Sequence, residues 1–589
     1  MTGNRDLVSS SPLSSLTTED SFTTAKASPA SNQPDDTFVT DHNSFDDKEQ
    51  AESQSQPQSH IPYYNAKRLP PELREYCRIH LEEALPRQTI FLLNGLLSSR
   101  STNHEEPAYC PPPSLLALLC SIIVHPDFTT RPKEPDWPQI SLDSLVLLRD
   151  VLSIFGPINA GFKEATLFRT SNNSEWDSDA QAHREGVQDA DERGLIELKP
   201  RHGGSTVWRF GHDFFNVVGW AFNCSVLYPE RWQYWRRWLD FMLDVLEKDL
   251  YERHRLDLEL GCADRLLLRD SILASYITNR AGRNSGGLRG ITRALFADGK
   301  QSSLVFQEVW PKEHKGNSKA YGSLNKRKRD NVNIDQGEYG GYMDDESVHS
   351  SQASEPPTPQ RTRTKLGFGD EATLQTSYLE SISLRQRLFS LLSYMCYHIP
   401  DDKPLDFSDL YEEFEKETKS LPLPVFTSFI SSTTSTLSVD MQVSMLQGIM
   451  FLFLPSSALS PAKVDRERHE NGGISAAIVE RCLLPYPANT IEAEDNAKMS
   501  ILLENLLMIV WQHCADTESF SEGLADAVET GIEARHAKVN KKKTRGRSRA
   551  AEDVDADARA ALEMSSMRLK WLADAIQEQR EDSEMVDDE

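Results

Sequence analysis

The chain has 589 residues, an apolar share of 38% and a formal net charge of −26. That length is too great for one hydrophobic core, and a mean hydropathy of −0.52 leaves a sizeable part too polar to pack. The charge argues against a surface that clamps nucleic acid all over, and no run of about 18 apolar residues is present to span a membrane.

Residues 1–62 are rich in Ser, Thr, Asp and Gln with almost no clustered apolar residues. They read as an acidic disordered tail, and the lack of an apolar signal core predicts an intracellular protein. The pattern changes at "RLPPELREYCRIHLEEAL", where Pro70 and Pro71 open a helix with apolar residues at 3.6-residue spacing. Pro86 ends it, and "RQTIFLLNGLLSS" starts the next. "PPPSLLALLCSIIVHP" and "SLDSLVLLRDVLSIFG" give two more helices, the second with Leu142, Leu145, Leu148, Leu152 and Phe155 as its buried stripe. "GLIELKPRHGGSTVWRFG" then predicts a β-hairpin near 194–210, which in a helical chain resembles the wing of a winged helix.

Five of the ten tryptophans fall between residues 208 and 238. In "YPERWQYWRRWLDFMLDVLEKDL" Trp235, Trp238, Leu239, Met242, Val245 and Leu246 share one helix face, with Trp232 a turn earlier. Arg231, Arg236, Arg237, Asp240, Asp244 and Lys248 fall mostly on the other side. An aromatic core is the expected reading, ahead of a docking groove. "NRAGRNSGGLRGITRALF" follows, combining four glycines with Arg280, Arg283, Arg289 and Arg293. It is the best candidate for touching phosphate through backbone amides, although it lacks the order of a nucleotide-binding loop.

Residues 63–310 thus read as an N-terminal helical domain and 311–372 as a disordered linker. A second helical domain is expected over 373–535, then a linker at 536–555 with basic and acidic parts, an amphipathic helix at 556–580 and an acidic tail at 581–589. The fold class is mainly α: two irregular helical domains joined by a linker, with one β-hairpin. Leu562, Leu569, Leu572 and Ile576 share a face of the last helix, which is marginal alone in water and is expected to seek a partner's groove.

Three basic clusters lie in segments too polar to fold: Lys326, Arg327, Lys328 and Arg329; Arg361, Arg363 and Lys365; and Lys541, Lys542, Lys543, Arg545, Arg547 and Arg549. They are of the nuclear-import type. "TPQR" at Thr358 and "SPAK" at Ser460 fit proline-directed cell-cycle kinases, predicting a phosphoprotein. Eight cysteines stand without CxxC spacing and read as buried thiols. No paired-carboxylate, nucleophile, metal-ligand or cofactor motif stands out, so neither an enzyme nor a small-molecule substrate is expected. No family is identified from these motifs. They point to a nuclear scaffold or adaptor subunit in chromatin, DNA-repair or cell-cycle assemblies, binding other nuclear proteins, with no membrane role. The alternative is a DNA-binding protein that uses the hairpin and the basic Gly/Arg loop.

Overall fold

Proline placement explains where several helices begin. In the computed structural model α1 (Pro71–Glu82), α2 (Pro86–Ser98) and α3 (Pro113–Ile122) each carry proline at the first turn. Its missing N–H is one that a helix start cannot satisfy anyway, and its fixed φ suits the helix. The structure describes residues 63–168, 206–313 and 376–587, apart from 262–263, 282–286, 377, 400–404, 471, 515–519 and 542–548. Helix dominates. A two-stranded parallel pair, β1 (Ala66–Arg68) with β2 (Ala108–Cys110), sets Ala66 opposite Ala108.

The long helix α4 (Trp137–Asn159) breaks at Gly156, where φ is +69° and ψ is 175° and Pro157 follows. A Cβ at Gly156 would lie 2.6 Å from the Tyr63 ring, so only glycine supplies both the backbone angle and the space. The hairpin expected near 194–210 is corrected in its described part. Val207–Phe210 is a helical turn, not a strand. Val207 and Trp208 are both buried, which a strand alternating between core and solvent does not allow. The Val207 amide donates to Ser121 Oγ at 3.0 Å and the Trp208 indole to the Ala117 carbonyl at 3.1 Å, both on α3. Residues 194–205 lie outside the described residues.

Asp213 caps α5 (Phe214–Leu227) by accepting from the Asn216 amide at 2.9 Å. The 31-residue α6 (Pro229–Glu259) packs on α4 and α5 and buries Trp232, Trp235 and Trp238 as expected. Arg231 departs from the pattern. The spacing predicts it on the solvent side, yet it is buried and joins Glu313 at the far end of the region. Arg231 Nε and Nη2 donate to Glu313 Oε1, and the Trp235 indole adds a third bond to that oxygen at 2.7 Å. Glu313 Oε2 accepts from the Val309 and Trp310 amides. The packed region therefore runs past 310 to 313, with Phe306, Val309 and Trp310 buried, and the expected linker boundary moves accordingly.

After α7 (Ile272–Ala281) and α8 (Gly287–Leu295) the described chain resumes in α9 (Ile382–His398), α10 (Phe407–Lys419), α11 (Leu423–Ile430) and α12 (Val439–Phe453). The two helical regions expected as separate domains share one hydrophobic cluster, and the described residues form one compact unit. α6 lies against α9 and α8 against α10. Arg385, fully buried, donates to the Leu295 carbonyl and, at 2.8 Å, to the Ala297 carbonyl, which are orphan acceptors at the end of α8. Its guanidinium lies 4.0 Å from the Phe222 ring centre and 4.2 Å from that of Tyr378. Phe296 meets Phe414 and Phe429 across the same seam.

α13 (Ala493–Cys514) and α14 (Leu524–Asn540) form the bed for α15 (Arg549–Asp587). Leu562, Leu569, Leu572 and Ile576 are buried there. Ser565 Oγ bonds Ser500 Oγ at 2.9 Å, and Arg568 Nε reaches Glu504 at 2.6 Å. The stripe that the sequence left open to a partner's groove is covered by the chain itself. The physical reason is that α13 and α14 present apolar faces of their own to this stripe.

Candidate interaction surfaces

α2 carries more apolar side chains than one face can hold. Ile90, Leu93 and Leu97 take the buried face. Phe91 is turned away from it and is 81% exposed, whereas Leu92 and Leu96 are half-buried and pack partly against the core. Together with His80 of α1 and Arg87 they line an open groove of about 610 Å³. Gly95 contributes to its lining, and a Cβ there would meet nothing within 4 Å. Tyr76, one turn before His80, is also exposed, as is Ile79. Tyr76, Ile79 and Phe91 together leave apolar side chains exposed on these two helices.

The polar lining of the groove is sparse, made of His80, Arg87 and Gln88. Its ionisable lining residues, His80 and Arg87, are basic in a chain of net charge −26. Arg87 pairs at 3.4 Å with Asp136, where both side chains are exposed and the pair contributes little. His80 Nδ1 is buried with no hydrogen-bond partner among the described residues. The groove can seat apolar side chains and hold a polar or acidic one at its edge. Sequence reasoning passed over Phe91, although the nearly continuous apolar run in "RQTIFLLNGLLSS" was the signal for it.

The residues singled out in the sequence fall differently. Arg280 Nη1 donates to Asp213 Oδ2 at 2.7 Å, so its charge is held internally. A Cβ at Gly290 would lie 2.7 Å from the Arg280 guanidinium, so this glycine admits an arginine. Arg289 and Arg293 are exposed one turn apart on α8, with Arg289 3.8 Å from Glu413 of α10. Arg283 lies outside the described residues. The basic loop therefore does not assemble an anion cradle from its described members.

Ser460 is exposed, at the start of a helical turn whose first residue is Pro461, and its side chain makes no capping bond. Thr358 and the clusters at 326–329 and 361–365 lie outside the described residues, as do Lys542, Lys543, Arg545 and Arg547. Lys541 is exposed at the end of α14, and Arg549 is the first residue of α15.

The chain matches no protein family and no curated protein sequence.

Among the described residues no group of three His, Cys, Asp or Glu side chains could hold a metal ion, and no described helix is long and apolar enough to cross a membrane. Burial pushes the Cys77 thiol up to about 11 and those of Cys110 and Cys396 up to about 12, so these sulfurs are protonated and poorly nucleophilic. One titratable cluster bridges α6 and α9. Arg265 donates to His254 Nε2 and, at 3.0 Å, to His398 Nδ1, while His254 Nδ1 meets the Tyr394 hydroxyl. Both imidazoles accept from one guanidinium, which requires both to be neutral. Burial is the main cause holding their pKa values below the ordinary range, His398 at about 4.

Proposed function

We propose that the protein is a non-catalytic nuclear adaptor of a chromatin or genome-maintenance assembly, acting through helical surfaces that hold other proteins. The observation that carries this reading is the groove between α1 and α2, with Phe91 exposed at its edge and His80 Nδ1 unpartnered beside it. Its occupant is one face of a partner's amphipathic helix, with apolar anchors against Phe91, Leu92 and Leu96 and an acidic residue facing His80 and Arg87. The basic clusters at 326–329, 361–365 and 541–549 support the nuclear compartment. The exposed Ser460, followed by Pro461 and Lys463, supports regulation by proline-directed kinases.

The test is affinity purification of the full chain from nuclear extract, beside the Phe91→Ser variant. The expected result is a stoichiometric partner retained by the natural chain and lost by the variant, with equal thermal stability because Phe91 packs little. Two results overturn it: the same proteins held by both chains, or duplex DNA alone held with a steep salt dependence. The second would instead favour direct DNA binding.

A further inference from the structure

α15 has a second apolar stripe, on the side away from α13 and α14. Met564, Met567 and Trp571 are 55%, 57% and 66% exposed. Their i, i+3, i+7 spacing aligns them along the helix with Ala560, opposite the buried Leu562, Leu569 and Ile576. Four exposed carboxylates bracket this line. Asp553 and Asp557 precede it and Asp574 and Glu578 follow it, and none is in an ion pair with a described residue. The nearest cations on the helix are already engaged, Arg568 by Glu504 at 2.6 Å and Lys570 by Glu529 at 2.8 Å. The face is therefore apolar at its centre and negative at both ends.

We propose that this face of α15 docks a basic amphipathic helix of another protein. Its apolar side seats on Met564, Met567 and Trp571, and lysines or arginines near its two ends meet the two acidic pairs. Asp557 and Asp574 are about 25 Å apart along the axis at 1.5 Å per residue, which calls for a partner helix of about 17–20 residues. Methionine adapts its shape to a partner, and an exposed tryptophan among methionines supplies a rigid anchor of large area. The charge complementarity selects a basic occupant: an acidic helix, or a nucleic-acid phosphate, would meet like charge at both ends. This site is separate from the α1–α2 groove and does not depend on it.

The probe is a fluorescent synthetic helix of 20 residues, with leucines at i, i+3, i+4 and i+7 and lysines at both ends. Binding to the full chain is read by anisotropy at low and high salt. A control peptide carries glutamates in place of the lysines. The natural chain is expected to bind the basic peptide, more weakly at high salt, and to ignore the acidic one. Trp571→Ala with Met567→Ser is expected to weaken binding at least about tenfold, the scale of one lost hot-spot contact. Neutralising Asp553, Asp557, Asp574 and Glu578 to amides is expected to weaken it and flatten the salt dependence. All six side chains are exposed, so the melting temperature serves as the folding control. Phe91→Ser is expected to leave this binding intact. The proposal is overturned if the basic peptide does not bind, if the acidic one binds as well, or if the α15 variants bind as the natural chain does. It is overturned too if Phe91→Ser abolishes binding, since that moves the site to the groove.

Discussion

Trp235 and Trp238 sit one turn apart on α6, both closed to solvent, yet their indole N–H groups have different fates. Trp235 Nε1 donates to the Glu313 carboxylate at 2.7 Å. Trp238 Nε1 has no hydrogen-bond partner among the described residues. Replacing either by phenylalanine removes similar volume, but only at Trp235 does the change remove a bond to a buried charge. Trp235→Phe is expected to cost about 1.5–3 kcal/mol more than Trp238→Phe, the range for a hydrogen bond to a charged group. Urea unfolding of the two variants measures the difference, and equal losses would refute the role given to Glu313. The sequence showed that these rings face the core. It did not show that Arg231, charged and adjacent to Trp232, goes with them. That depends on Glu313, 82 residues away, supplying the countercharge that makes its burial tolerable.

Helix α15 is legible as an amphipathic helix with Leu562, Leu569, Leu572 and Ile576 on its buried face, whereas Met567, which the spacing sets beside them, is exposed. What covers that face was not legible, because a hydrophobic stripe specifies only that some apolar surface must meet it. Leu562, Leu569, Leu572 and Ile576 are buried within the chain, each contributing roughly 1.5–3 kcal/mol on burial. Deleting 551–589 is therefore expected to lower the melting temperature sharply, as calorimetry would show. An unchanged melting temperature would mean that the helix rests only loosely on α13 and α14. The seam between α6 and α9 yields a second expectation. His254 and His398 have folded pKa values below the unfolded imidazole's, so the unfolded chain binds more protons between them. Their contribution to stability is complete above about pH 6.5, the unfolded imidazole value, and is lost as the pH falls towards the folded value. For His398 that value is about 4. The His398→Gln variant is expected to lose stability less steeply than the natural chain between those values. Parallel melting-temperature profiles would rule the cluster out as a source of acid sensitivity.

On the scale of the whole molecule, the seam expected to separate two domains is a packed interface. Arg385 ties α9 to the end of α8, Arg387 reaches Asp244 at 2.8 Å and Glu247 at 2.7 Å on α6, and Phe296 packs among Phe414 and Phe429. The polar stretch at 311–372 suggests a boundary because composition reports what a segment cannot bury, not which faces on either side of it meet. By itself the sequence determined that the chain is mainly helical, where proline starts many of its helices, and which face of α6 and of α15 is apolar. Each follows from local periodicity and backbone chemistry. Only the tertiary structure decided that α15 lies on its own chain, that Arg280 and Arg231 are held by Asp213 and Glu313, and that Phe91 and Trp571 are left in solvent. A side chain's partner is set by which distant element arrives beside it, and no window of neighbouring residues contains that information.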